Sequence, residues 1–120
     1  NMNEIATAAR NSVPVIEVVI NNHVLGMVRQ WQDLFYGQRY SQTVLNDAVD
    51  FVKLAEAMGA VGYRAQTREE FQKAFAEALT LGRPVLIDCQ IDKDEKVWPM
   101  VAPGAALRDA FDEADMKKAD

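Results

Sequence analysis

The sequence predicts an α/β fold, a parallel sheet flanked by helices, and three observations carry that prediction. Runs rich in β-branched residues alternate with segments whose apolar residues recur at helical spacing. Strands separated by helices need crossover connections, which make neighbouring strands parallel. The run Val15-Ile16-Glu17-Val18-Val19-Ile20 is apolar at all but one position, the pattern of a strand covered on both faces. Only three strands are visible, few for a doubly wound sheet. The chain therefore reads as one domain, 1–120, forming part of a larger sheet.

Met2, Ile5, Ala6 and Ala9 open the chain at helical spacing, until Asn11-Ser12 and Pro14 stop it. The strand Val15 to Ile20 follows and ends at Asn21-Asn22-His23. Met27, Val28, Trp31, Leu34 and Phe35 then form one helical stripe closed by Gly37, and a polar loop runs through Tyr40, Ser41 and Gln42. Asp47 or Asp50 caps the next helix, in which Phe51, Leu54, Ala55 and Met58 share a face. Val61 to Ala65 reads as a short strand. Thr67 and Glu70 make a T-x-x-E capping box, with Phe71, Ala74, Phe75, Ala78 and Leu79 as the buried face. Gly82 and Pro84 end that helix, and Val85 to Ile91 is the third strand. Beyond the solvated turn Asp92 to Lys96, residues 95–120 form a C-terminal arm and an amphipathic helix expected from Ala105 to Asp115. The charged tail Met116 to Asp120 is expected to fray.

Hydrophobic residues make up 49% of the 120 and charged residues 26%, the balance of a folded globular chain. The net charge is −5 and the basic residues are scattered among acids. That argues against nucleic acid as a partner, since phosphate-backbone binders carry a concentrated basic patch. No apolar stretch approaches the roughly 18 residues of a membrane span. The opening Asn1-Met2-Asn3-Glu4 lacks the basic and apolar regions of a signal peptide, so a cytoplasmic location is the expectation. Cys89, the only cysteine, lies inside an apolar run and reads as a small buried hydrophobe.

Ligands of open α/β sheets gather beyond the carboxyl ends of strands. Asn21-Asn22 stands at such an end, before a helix carrying Gly26 near its start. Amide and carbonyl oxygens are hard donors that suit Mg²⁺, and a helix N-terminus offers N–H groups to an anion. The position thus suits a diphosphate bridged by magnesium. On spacing alone such a pair is more often a plain turn, because asparagine tolerates left-handed backbone and caps helices.

The string Asn21 to Gln32 contains Gly26-Met27-Val28-Arg29-Gln30-Trp31-Gln32. With Leu34-Phe35-Tyr36, Arg39-Tyr40-Ser41, Asp50 to Gly59, Arg83 to Ile87 and Glu95 to Ala105, it resembles the acetolactate synthase large subunit over nearly the whole chain. The resemblance implies the C-terminal part of a thiamine-diphosphate-binding domain. By that likeness Asn22 binds Mg²⁺ through its side chain and Val24 through its carbonyl, while Leu25 and Gly26 lie by the diphosphate. Met27 and Trp31 line the substrate pocket, the tryptophan favouring 2-ketobutyrate as second substrate. The family's Gly-Asp-Gly half-motif would precede Asn1. The glutamate that activates the cofactor comes from a neighbouring subunit, and FAD binds in another domain. The resemblance further implies 2-keto acid substrates, a homo-oligomer and a regulatory small subunit, and an inactive 120-residue piece.

His23 reads as a surface loop residue, imidazole being a poor Mg²⁺ ligand. Glu17, the lone charge in its strand, calls for an edge position or a partner. Trp98 and Met100 belong by resemblance to an arm folded over the active-site mouth, and by pattern alone they serve equally as a packing staple. Two other functions stay open on the sequence. One is a sister enzyme such as pyruvate oxidase, glyoxylate carboligase or a 2-keto acid decarboxylase. The other is a non-catalytic module that self-associates through uncovered apolar faces.

Overall fold

A computed structural model describes residues 2–45 and 48–116. Helix α1 (Met2–Arg10) leads into strand β1 (Ile16–Asn21) and helix α2 (Gly26–Phe35). Helix α3 (Phe51–Ala57), strand β2 (Val61–Ala65), helix α4 (Arg68–Leu81) and strand β3 (Val85–Gln90) follow. All strand pairs are parallel, in the spatial order β1-β3-β2, so the last strand lies between the other two.

Side chains alternate across β3 and build a core on each face. Val85, Ile87 and Cys89 meet Ala74 and Ala78 of α4, with Ala65 of β2. Leu86 turns the other way, to Ile5 of α1 and Ala55 of α3. Cys89 is buried, as its apolar setting implies, and desolvation pushes its thiol above the ordinary value. Glu17 is exposed on β1, an edge strand, where its charge stays hydrated. Gly62 lets α3 approach β2 closely: a Cβ there would stand 2.8 Å from Val52 Cγ1 and 2.9 Å from the Val52 carbonyl oxygen.

The caps account for the helix boundaries. Asp50 accepts from the Val52 and Lys53 N–H groups, both at 3.1 Å, and starts α3; Asp47, the other candidate, lies outside the described residues. Thr67 accepts from the Glu70 N–H at 3.2 Å, as expected of the box, whereas Glu70 reaches one residue further back, to the Gln66 N–H at 2.7 Å. Gly82 ends α4 in the left-handed region at φ 63.

Two sequence expectations fail. The helix from Ala105 to Asp115 is instead a 3₁₀ turn (Leu107–Asp109), an isolated antiparallel bridge between Phe111 and Met100, and a short helix α5 (Glu113–Met116). Phe111 packs edge-on against Phe35 and Trp98, and it exchanges two 2.8 Å backbone bonds with Met100. That anchoring overrides the helical period. Of the tail expected to fray, Met116 to Asp120, Met116 is the last residue of α5 and residues 117–120 lie outside the described residues. On α4, Phe75 and Leu79 are 37% and 67% exposed. The helix meets the sheet through its alanines, and residues one step further round its circumference point past the contact.

Helix α2 divides its apolar stripe. Met27, Val28 and Trp31 are each 45% exposed, while the buried residues of the helix are Arg29 and Gln30. Those two clasp the arm. Gln30 donates to the Val97 carbonyl at 2.9 Å and accepts the Val97 N–H at 2.8 Å. Arg29 pairs with Asp94 at 2.6 Å and lies 4.0 Å over the Tyr40 ring. Asp33 holds Lys96 at 2.8 Å.

Candidate cofactor site

The corner after β1 is built by two side chains that fold back on the backbone. Asn21 Oδ1 accepts the His23 N–H at 3.1 Å, and Asn22 Oδ1 accepts the Val24 N–H at 3.3 Å. Each asparagine thus makes the Asx turn its residue type favours. The left-handed residue is His23, at φ 58, rather than either asparagine. A non-glycine residue there is strained and is held by its surroundings.

Val24 is buried, at 6% exposure, and bridges to Val44. The bridge uses the flanking groups: Leu25 N–H donates to the Thr43 carbonyl at 2.8 Å and Leu45 N–H to the His23 carbonyl at 2.9 Å. Helix α2 begins with the bond from Arg29 N–H to the Leu25 carbonyl. Among the described residues no backbone N–H outside the regular elements donates to the Val24 carbonyl. Leu25 is the N-cap of α2 and makes no side-chain capping bond to the first N–H groups of the helix. Gly26 opens the helix against the Asn22 amide; a Cβ there would come within 2.6 Å of Asn22 Nδ2.

The donor set fits a hard cation beside an anion. An amide oxygen that accepts one bond keeps a second lone pair, and the Val24 carbonyl is a further donor. Among the described residues no three His, Cys, Asp or Glu side chains converge as a metal cluster, so these neutral oxygens are the local supply. Trp31 stands on the exposed side of α2, where it lines an open hollow of about 300 Å³ with Val28, Gln32, Tyr36 and Arg39. Met27 is on the same exposed side and is not among the lining residues of that hollow.

Residues 1–89 match the family model of the thiamine pyrophosphate enzyme, C-terminal TPP binding domain. The chain belongs to that family. As a thiamine pyrophosphate enzyme domain it is 42% identical over 110 residues to the acetolactate synthase large subunit of Haemophilus influenzae, covering 91% of this chain and 19% of that protein. It is 47% identical to the large subunit of Pyropia yezoensis (87% and 18% covered) and 49% identical to the acetolactate synthase of Mycobacterium leprae (86% and 17%). Among solved structures it is similar to a thiamine diphosphate-dependent 4-hydroxybenzoylformate decarboxylase of Rhodococcus jostii. That likeness has a TM-score of 0.68 and 29% identity, over 79% of this chain and 18% of that one. The benzoylformate decarboxylase of Polynucleobacter necessarius gives 0.69 and 27%, over 81% and 18%. The chain thus spans about a fifth of the length of the relatives it matches. No described helix is long and apolar enough to cross a membrane.

Two features of this family member escaped the sequence reading. Thr43, opposite Leu25 in the bridge, is 2% exposed, and its hydroxyl has no hydrogen-bond partner among the described residues. Asp88 is 1% exposed and binds the Asn21 amide. Its signal in the sequence is a lone carboxylate amid Val85-Leu86-Ile87 and Cys89 in an otherwise apolar strand.

Proposed function

We propose that this chain is the cofactor-contacting C-terminal part of an acetolactate synthase catalytic subunit. The observation that supports the reading most is the corner itself: the Asn22 amide oxygen and the spare Val24 carbonyl sit beyond the β1 terminus, before an uncapped helix. In the reading, Asn22 and Val24 hold Mg²⁺, and the N–H groups beyond Leu25 and Gly26 receive the diphosphate. Thiamine diphosphate, when bound, supplies the means to decarboxylate a 2-keto acid and pass on the remaining two-carbon unit. This chain's residues bind and orient it, and Trp31 and Met27 wall the space for the acceptor. The full enzyme converts two pyruvates to acetolactate and CO₂, or takes 2-ketobutyrate as acceptor, in branched-chain amino acid biosynthesis.

Identity of 42–49% to acetolactate synthases against 27–29% to the decarboxylase structures favours a synthase over a decarboxylase. The same resemblance supports an FAD site outside this chain, a homo-oligomer with a regulatory small subunit, and a cytoplasmic setting. Gly-Asp-Gly does not occur in the 120 residues, and alone they are proposed to be inactive. The full-length enzyme carrying this segment is expected to form acetolactate from pyruvate only with thiamine diphosphate and Mg²⁺. Its Trp31→Leu variant is expected to lose preference for 2-ketobutyrate by about tenfold, the scale of one reshaped apolar pocket wall. Preferential use of glyoxylate by the parent would overturn the assignment.

A further inference from the structure

Behind the proposed ligands lies a buried carboxylate that touches none of them. Asp88 Oδ1 accepts the Asn21 amide N–H at 3.0 Å. Its Oδ2 accepts from Arg64 Nε at 3.3 Å and from Gln90 Nε2 at 3.5 Å. Arg64 continues to Asp50, the N-cap of α3, at 2.9 Å. The hydrogen bond to Asp88, with the Asp50 charge beside it, holds the guanidinium charged and places the Arg64 pKa above its ordinary value. One chain of polar contacts therefore runs from α3 through β2 and β3 to the last residue of β1.

A carboxylate only accepts, so the Asn21 amide must present its NH₂ to Asp88. Its oxygen is thereby turned toward the His23 N–H, the 3.1 Å bond that closes the left-handed turn. Asn21 is held at both ends. The next residues in the chain are the Asn22 amide and the Val24 carbonyl.

We infer that Asp88 is a positioning residue for the cofactor corner, acting through Asn21 to set where the Asn22 and Val24 oxygens point. The inference rests on the magnesium and diphosphate reading above and adds the group that orients its ligands. Removing a group hydrogen-bonded to a metal ligand costs about 10- to 100-fold in metal affinity, and Asp88, one link further back, is expected at the lower end of that range. A carboxylate that served only to pair with Arg64 would leave that affinity alone.

The test measures Mg²⁺-dependent thiamine diphosphate binding by titration calorimetry in the full-length enzyme carrying this segment, with thermal melts alongside. Asp88→Asn keeps the side-chain size but can donate as well as accept, which frees the Asn21 amide to flip. Asn21→Ala cuts the same link from the other side and leaves the Asp88–Arg64 pair. Val85→Ala thins the opposite end of β3, where Val85 is 2% exposed, and serves as the stability control. Both link variants are expected to raise the Kd about tenfold, with Val85→Ala lowering Tm at unchanged Kd. Wild-type affinity in Asp88→Asn or Asn21→Ala, or an equal loss in Val85→Ala, overturns the inference while the functional reading stands. Failure of the parent to bind the cofactor with Mg²⁺ overturns both.

Discussion

Helices α2 and α4 look alike as amphipathic patterns and are held by opposite faces. α4 lays Ala74 and Ala78 on the sheet and leaves its charges in water. α2 buries Arg29 and Gln30 against the arm and leaves Met27, Val28 and Trp31 open. An apolar stripe shows that a helix has a face to be covered and does not say by what. On α4 the cover is the domain's own sheet. On α2 the stripe is left open at Met27, Val28 and Trp31, and attachment falls to Phe35 against Phe111 and to the polar contacts of Arg29 and Gln30.

The sharpest way to break this comparison is to place the same charge on each helix. Ala78→Asp buries an unpaired carboxylate against β3 and is expected to cost about 3–5 kcal/mol. Met27→Asp on the exposed stripe should stay within about 0.5 kcal/mol. Urea denaturation of both variants decides, and equal losses would show that α2 is packed as α4 is.

Gln30→Ala probes the polar attachment directly. It leaves the Val97 N–H and carbonyl without their partner, an expected loss of about 1–3 kcal/mol. Faster amide exchange at Val97, with α4 unchanged, would confirm that the seam opens locally.

The smallest effect concerns pH. The Lys96 hydrogen bond holds Asp33 below the ordinary 3.8, and the Arg29 hydrogen bond does the same for Asp94. Groups with depressed values stabilise fully above the ordinary value and lose that contribution as pH falls through the depressed one. Lys96 is raised above 10.5 by its bond to Asp33, so its share is lost only as pH rises through that higher value. Trp98 emission, read in a Trp31→Phe background, is expected to shift at both extremes while helical ellipticity persists between them. A shift near neutrality would show that other groups govern the seam.

Elements with local chemistry were legible in the sequence. Asp50, Thr67 and Gly82 mark helix ends through bonds and backbone angles within a few residues, and the β-branched runs mark the strands. The asparagine corner was legible too, because strand end, amide pair and Gly26 are consecutive. What was lost depends on distant partners. Phe111 joins Met100 and Trp98 rather than a helix, and Arg29 meets Asp94 across 65 residues. Asp88 finds Asn21 across 67, which no spacing rule connects. Both apolar helices carried the same periodic signal, so only the tertiary contacts could tell which stripe was core.

The Gln30 side chain imitates a peptide unit, donating and accepting across Val97 as a neighbouring strand would. Such a double contact reads direction as well as position. A slip of the arm by one residue would present a peptide whose donor and acceptor point the opposite way, and neither bond could form. The contact therefore rejects a one-residue slip of the arm, a constraint written into one residue of α2. Because the next residue is Trp31, any rotation of the helix that reshapes the tryptophan wall must also unlatch the strand-like arm beside it.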